Sequence, residues 1–144
     1  MMGEEMTLQD ILFRVLAALL AGFAIGFERQ WRHKTAGLRT NILVALGACF
    51  YVILSVQLTQ QTGDVTRIIG QVVTGIGFLG AGIIFREGAN IHGLTTAATV
   101  WCSSAIGCMA GAGYFLESLL ATLAVLIVNI LLVPLDSWLS NRKS

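Results

Sequence analysis

Long apolar runs separated by short polar segments make up most of the chain. Five such runs stand out, at residues 8–27, 41–58, 69–85, 94–112 and 114–135. A helix rises about 1.5 Å per residue, so about 20 residues cross a hydrocarbon core of about 30 Å. Because backbone polar groups find no water there, a helix is the conformation that satisfies them. The pattern therefore predicts an all-α fold, a polytopic transmembrane bundle of about five spans that forms one domain over residues 1–144.

The composition agrees with a membrane environment. Hydrophobic residues make up 56% of the chain and charged residues only 12%, about half the charged share of a typical soluble domain. Polar side chains are too few to cover a water-soluble globule, so the lipid bilayer is the predicted surrounding. The net charge of +1 gives no indication of a nucleic-acid partner.

The basic residues indicate how the bundle is oriented. With the N-terminus outside, seven of them fall in cytoplasmic segments, namely Arg29, Arg32, Lys34, Arg39, Arg86, Arg142 and Lys143. The outer segments then contain only Arg67, and Arg14 lies within the first run. Cytoplasmic loops of membrane proteins carry an excess of lysine and arginine. The predicted topology therefore has the N-terminus outside and the C-terminus in the cytoplasm.

Glycines recur at helical spacing in three of the runs. In water an interior glycine costs a helix about 1 kcal/mol against alanine, but in a bilayer small residues let neighbouring helices approach closely. The predicted helix-packing positions are Gly22, Gly26, Gly75, Gly77, Gly80, Gly82, Gly107 and Gly111. The pairs Gly22/Gly26 and Gly107/Gly111 suit contacts within the chain or between copies in a homo-oligomer. Residues 75–80 also fit G-x-G-x-x-G, but apolar sequence on both sides argues against nucleotide binding.

Polar residues gather where four of the runs meet the predicted cytoplasmic side. The candidate polar cluster consists of Glu28, Arg29, Arg39, Asn41, Arg86, Glu87, Thr95 and Thr96. One interpretation is anchoring by positive residues together with helix caps. The other is a site that binds an ion, a lipid headgroup or a protein partner. Charge placement alone does not decide between them.

Other polar residues lie within the runs. Gln71 and Thr74 in the third run, with Thr99 and Ser103 in the fourth, form small polar stripes that either bond helices together or line a thin ion path. Spacing of i, i+4 in the first run predicts an ion pair between Asp10 and Arg14, or an arginine that reaches the lipid headgroups. The alternative is a functional charge that faces other helices.

The sequence contains no constellation typical of catalysis. Paired carboxylates, an activated serine, a Cys/His pair and a phosphate-binding loop are all missing from it, and the two histidines stand apart. We therefore predict that the protein is not an enzyme and that it binds no cofactor and no metal.

Four motifs, in this order, resemble the MgtC/SapB family of membrane proteins. They occupy residues 22–29, 37–41, 75–82 and 93–101, and the resemblance extends over about 8–132. The variant Glu-Arg-Gln-Trp-Arg at residues 28–32 is most similar to the MgtC virulence branch, here without the ACT-like domain that follows the last helix in that branch.

The resemblance implies a role as well as a fold. Members of this branch are bacterial inner-membrane proteins linked to growth in low magnesium and to survival inside macrophages. They act on other membrane complexes, such as the F-type ATP synthase, and are targets of a small membrane peptide. The resemblance thus implies a non-enzymatic regulator with a membrane-protein partner. A small cation transporter or channel is the alternative.

Overall fold

The computed structural model describes residues 6–59 and 64–141. Five helices account for most of them, and a two-stranded antiparallel hairpin joins the third helix to the fourth. The elements are α1 (Leu8–Trp31), α2 (Leu38–Leu58), α3 (Val65–Ile83), β1 (Phe85–Glu87), β2 (Asn90–His92), α4 (Leu94–Ala112) and α5 (Phe115–Asn141). The predicted all-α fold is confirmed. By length and composition α1, α2, α3 and most of α5 are able to cross a membrane.

The fourth helix differs from the other four. It has the bounds of the predicted run, but its composition of threonine, serine, alanine and glycine is less apolar than that of a typical span, and it is not among the four candidates. It contacts all four other helices, and 11 of its 19 residues are buried. Because protein rather than lipid surrounds α4, its side chains do not need to be strongly hydrophobic. The five predicted spans are thus four apolar helices and one central helix.

The helices α1, α2 and α4 pack backbone to backbone. A Cβ atom placed at Gly22 would lie 2.8 Å from Ile42 Cα, and one at Gly26 would lie 2.7 Å from Leu38 Cα. On the other side of α2, a Cβ at Gly107 would meet the Ala45 backbone. Such approaches exclude any larger residue. From Gly22 to Gly26 the partner in α2 falls from Ile42 to Leu38, so α1 and α2 run antiparallel. From Gly107 to Gly111 the partner rises from Ala45 to Cys49, so α2 and α4 run parallel.

These contacts occupy the glycine pairs that were candidates for joining two copies. Gly22, Gly26, Gly107 and Gly111 are all buried inside one chain. Gly111 adds a further close approach, since its Cβ would lie 2.7 Å from the Cys49 carbonyl oxygen. The interpretation of either pair as an oligomer contact is therefore wrong, and a homo-oligomer would need another surface.

The helix α3 is packed loosely. Ile76 is its one buried residue. Of its predicted packing glycines, only Gly80 faces a neighbour, with a Cβ that would lie 3.9 Å from Ala97 Cβ. A Cβ at Gly75, Gly77 or Gly82 would have no neighbour within 4 Å among the described residues. Their predicted packing is not made within this chain, because α3 meets α4 along the side that carries Ile76 and Gly80.

The hairpin occupies the polar segment between the third and fourth apolar runs. It pairs Phe85 with His92 and Glu87 with Asn90, so α3 ends two residues before the apolar run does. Gly93 follows it with φ of 86° and lies against the Ile83 carbonyl, where a side chain would not fit. The hairpin and the α1–α2 connection lie at one end of the bundle, and Arg67 lies at the other.

The orientation in the membrane stays a prediction. Two of the basic residues that support it, Arg142 and Lys143, lie outside the described residues.

Candidate functional site

A buried arginine joins two helix ends at the hairpin end of the bundle. Arg29 in the last turn of α1 is 2% exposed, and its Nη2 donates a hydrogen bond to Thr96 Oγ1 at 3.0 Å. Thr96 lies in the first turn of α4. Because the two helices run antiparallel, the end of one meets the start of the other. The predicted proximity of these two residues is therefore present in the structure.

A buried carboxylate adjoins this arginine. Glu28 is 8% exposed, and Arg32 Nε lies 2.8 Å from its Oε1. The pair is close enough for an ionic contact, but the N–H is not directed at the oxygen. Within the described part of the chain, the two carboxylate oxygens of Glu28 have no hydrogen-bond partner. The Nε of Arg29 has none either. Buried polar atoms of this kind usually hold water or a ligand. The arrangement offers one acceptor group and one donor group.

A second polar contact joins α2 to α4. Asn41 is fully buried, and its Nδ2 donates to the carbonyl oxygens of Ala36 at 3.0 Å and Gly37 at 2.9 Å. Its Oδ1 accepts a hydrogen bond from Ser103 Oγ at 2.8 Å. The side chain therefore fixes the segment that precedes α2 and ties it to the central helix.

A third polar contact joins α4 to α5. The Thr99 hydroxyl lies 3.4 Å from both polar atoms of the Asn129 amide, and it also donates to the Thr95 carbonyl oxygen at 2.8 Å. We call the three contacts, Arg29–Thr96, Asn41–Ser103 and Thr99–Asn129, the polar seam. The seam connects α4 to three other helices. The sequence analysis missed the role of Asn129, although an amide within an apolar run is itself a signal of an internal contact.

The other members of the predicted polar cluster lie outside the seam. Arg39, Arg86, Glu87 and Thr95 are exposed. Arg86 Nε donates to the Gly88 carbonyl oxygen at 2.9 Å, and Glu87 lies 4.0 Å from His92 within the hairpin. The structure thus does not join all eight residues in one set of contacts: Arg86 and Glu87 lie on the exposed hairpin, and Arg39 and Thr95 are exposed at the starts of their helices. The structure brings together Glu28, Arg29 and Thr96, with Asn41 joined to the same helix.

The four residues of the predicted ion path have separate surroundings. Thr99 faces α5 and Ser103 faces α2, and both are bonded within the seam. Gln71 is exposed, and the exposed Thr74 donates to the Gly70 carbonyl oxygen of its own helix at 3.0 Å. The two polar stripes therefore do not face each other.

Arg14 caps the C-terminal end of α4, which is the end opposite the hairpin. Its Nη1 donates to the Gly111 carbonyl oxygen at 2.6 Å, one of the groups that a helix end leaves without a partner. The positive charge also suits the negative end of a helix dipole. The predicted ion pair with Asp10 is not formed, since Asp10 instead makes a capping box with Thr7 at the start of α1.

The described residues contain no group of three histidine, cysteine or acidic side chains that could hold a metal ion. Cys49, Cys102 and Cys108 are free thiols.

Apolar helices around a central helix with a polar seam define a multi-pass membrane protein. The particular family follows from comparison with known proteins: the model of the MgtC family matches residues 15–138, and the chain belongs to that family. The predicted resemblance is thereby confirmed.

Three relatives illustrate the similarity. Protein MgtC of Salmonella typhimurium is 51% identical over 131 residues, which cover 91% of this chain and 56% of the relative. Protein MgtC of Brucella abortus is 55% identical over 118 residues, 82% of this chain and 49% of the relative. An uncharacterised protein of Synechocystis is 48% identical over 133 residues, 92% and 56% of the two chains. The chain thus spans about half the length of these relatives. No solved structure matches it.

Proposed function

We propose that this chain is a non-enzymatic regulator in the bacterial inner membrane, and that it acts by contact with another membrane complex. The F-type ATP synthase is the proposed target, in adaptation to low magnesium and in intracellular survival. Membership of the MgtC family supports this role. The observation that carries the proposal is the uncovered surface of α3.

The α3 surface suits a protein neighbour better than lipid. Among the candidate spans α3 is the least hydrophobic, yet it has the smallest buried share. Phe78 is 81% exposed, and Gln71, Thr74 and Gly77 are exposed beside it. Small and hydrogen-bonding residues are typical of contacts between membrane helices. A surface of this kind, left open by its own chain, fits a helix of a partner complex.

The seam and the hairpin support the same interpretation. The seam ties α4 to α1, α2 and α5 and so provides a fixed base beside the loosely held α3. The exposed charges of Arg86 and Glu87 follow directly after α3. A partner that contacts α3 would meet these charges where it leaves the hydrocarbon. Regulation is preferred to cation transport because the candidate path residues bond elsewhere or lie apart.

Inverted membrane vesicles test the proposal. ATP-driven acidification, followed by a quenching dye, is expected to slow when the wild-type chain is present. Gly77→Leu places a large side chain on the open surface and is expected to remove this inhibition. Ala124→Leu introduces the same side chain at an exposed position of α5, and it should leave inhibition intact. Membrane levels of the three proteins are matched by immunoblot.

The outcomes separate the target from the surface. Acidification that is unaffected by the wild-type chain would exclude the ATP synthase as its target. Inhibition that survives Gly77→Leu at full strength would exclude the α3 surface as the contact. Photo-crosslinking from Phe78, compared with Phe23 on α1, adds a direct readout, since only the first should yield an adduct with a subunit of the complex.

A further inference from the structure

The arginine near the end of α1 is a buried charge without an ionic partner. Arg29 is 2% exposed, yet it makes no ion pair with any residue that the structure describes. Glu28, its neighbour in the chain, projects about 100° away around the helix and contacts Arg32 instead. Charged side chains are seldom buried unless an opposite charge or hydrogen bonds compensate them. Arg29 therefore lacks a negative partner, which a bound anion would supply.

The hydrogen-bond donors around Arg29 converge on one place. Its Nη2 donates to Thr96 Oγ1, and the unpartnered Nε–H lies on the same edge of the planar guanidinium. An acceptor at Nε would therefore lie beside Thr96, in the first turn of α4. The N-cap of α4 is Gly93, which has no side chain to accept the backbone N–H groups of that turn. Helix N-termini bind phosphate through such N–H groups and through the positive end of the dipole.

A group of opposite chemistry lies next to this place. Both carboxylate oxygens of Glu28 are buried and have no hydrogen-bond partner in the part of the chain that the structure describes. A carboxylate only accepts hydrogen bonds, so it requires a donor, and a cationic donor forms the stronger bond. Arg32 does not supply one, since its Nε lies 2.8 Å away without directing its N–H at the oxygen. A ligand that satisfies both residues must carry a phosphate and an ammonium group.

The level of the site in the bundle indicates the source of such a ligand. Glu28 and Arg29 lie in the last turn of α1, and Trp31, the last residue of the helix, is 76% exposed. Tryptophan at the end of a membrane helix is typical of the headgroup layer. Arg32 is 30% exposed and lies over Glu28 without a directed hydrogen bond. A lipid headgroup is thus at the right level, and displacement of the Arg32 side chain would admit it.

We propose that Glu28 and Arg29 bind the phosphoethanolamine group of a phospholipid at the hairpin end of the bundle. The phosphate accepts hydrogen bonds from Arg29 Nε and from the first turn of α4, and the ammonium donates to Glu28. This arrangement gives a partner to each of the three buried atoms of the two residues that lack one. The site lies on α1 and α4, so it does not depend on the proposed regulatory contact at α3.

Native mass spectrometry of the purified chain tests the site. The chain is equilibrated in micelles that contain equal amounts of phosphatidylethanolamine and phosphatidylcholine with identical acyl chains. The two headgroups carry the same charges, but the choline nitrogen has no N–H to donate. The wild-type chain is expected to retain one phosphatidylethanolamine with a preference of about tenfold, the effect of one hydrogen bond to a charged group.

Three variants assign the preference to its residues. Glu28→Gln should remove most of it, because the ammonium loses its anionic acceptor. Arg29→Gln should reduce the retention of both lipids, because the phosphate loses its cation. Arg39→Gln, an exposed arginine at the same end of the bundle, should behave as wild type. Circular dichroism checks the fold, and Glu28→Gln, which removes a buried charge without a hydrogen bond, keeps the test decisive if Arg29→Gln does not fold.

Soluble phosphoethanolamine distinguishes the two sources of the group. Displacement of the retained lipid by an excess of the soluble ester would show that the headgroup alone is recognised. Retention despite the excess would show that the acyl chains contribute as well, and both outcomes support the site.

Two results would overturn the proposal. One is equal retention of phosphatidylethanolamine and phosphatidylcholine by the wild-type chain. The other is a preference that Glu28→Gln leaves unchanged or that Arg39→Gln reduces equally, since the headgroup would then be bound elsewhere.

Discussion

Two regions of this molecule use glycine in opposite ways. Between α1, α2 and α4, glycine brings helix backbones into contact, as at Gly26 against Leu38 and at Gly107 against Ala45. On α3, Gly77 and Gly82 have open space where a side chain would be. The local sequences are similar in both regions. A glycine motif in a membrane helix thus indicates a close contact, but it does not say whether the contact is made by the same chain.

The largest expected difference between the two regions comes from adding one methyl group to each. Gly107→Ala should cost about 3 kcal/mol or more in the free energy of unfolding, because the new Cβ would overlap the Ala45 backbone. Gly77→Ala should be neutral or stabilising by up to about 1 kcal/mol, since alanine favours a helix. Thermal unfolding in detergent, followed by circular dichroism, compares the two. Equal stability of both variants would contradict the packing described for α4.

The polar seam offers the next test. Asn41→Leu removes three hydrogen bonds and leaves Ser103 with no partner, so we expect a loss of about 2 kcal/mol. Combined with Ser103→Ala in a double-mutant cycle, the coupling should be about 0.6 kcal/mol, the mean for hydrogen bonds between membrane helices. A coupling of zero would show that the two side chains do not act together.

Two arginines that the sequence placed in one cluster should now behave differently. Arg29→Gln is expected to destabilise the bundle by about 1–3 kcal/mol, since it removes the donor to Thr96 and leaves Glu28 less compensated. Arg86→Gln lies on the exposed hairpin and should change stability by less than about 0.5 kcal/mol. The shift in the unfolding midpoint measures both. A larger effect of Arg86→Gln would restore the original grouping.

The smallest expected effect concerns the start of α3. Asp64 caps this helix, and hydrogen bonds from the hydroxyl and the backbone N–H of Thr66 lower the pKa of its carboxyl below the usual 3.8. Because the pKa of Asp64 is lower in the folded state, its ionised carboxylate stabilises the start of α3 at any pH above the pKa of the unfolded chain. This stabilisation is lost as the pH falls through the pKa of the folded state. Amide exchange in the first turn of α3, corrected for the intrinsic rate, should therefore increase below about pH 4.

A matched variant identifies the group responsible. Asp64→Asn keeps a capping side chain but does not titrate in this range, so its amide exchange should show no such dependence on pH. The same pH dependence in both proteins would assign the effect to another group.

The sequence predicted where the helices lie along the chain better than it predicted which side of each helix is buried. The bounds of α4 agree with the apolar run, whereas α1 continues through Glu28 and Arg29 to Trp31 because polar residues also form helices readily. In a soluble protein, apolar periodicity identifies the buried side of a helix. Here lipid and protein interior are both apolar, so that signal is weak, and the pairing of Asn129 with Thr99 was not predictable.

At the candidate site the sequence predicted the contact between two helix ends but not the hairpin beside them. Antiparallel packing of α1 and α4 follows from the order of the helices, and it brings Arg29 to Thr96. The hairpin was missed because an eight-residue charged segment shows too little alternation to indicate strands. Without it, Arg86 and Glu87 seemed to face the bundle, whereas the paired strands hold them outside.

The central claim is that α3 is the surface this chain leaves open for a partner. A spin label at Phe78 in nanodiscs tests it, with a label at Phe23 on α1 as the control. For the purified chain we expect both labels to be mobile and accessible to oxygen. When the F-type ATP synthase is reconstituted in the same nanodiscs, only the Phe78 label should become immobile. A Phe78 label that is already immobile in the isolated chain, or that does not respond to the complex, would contradict the account.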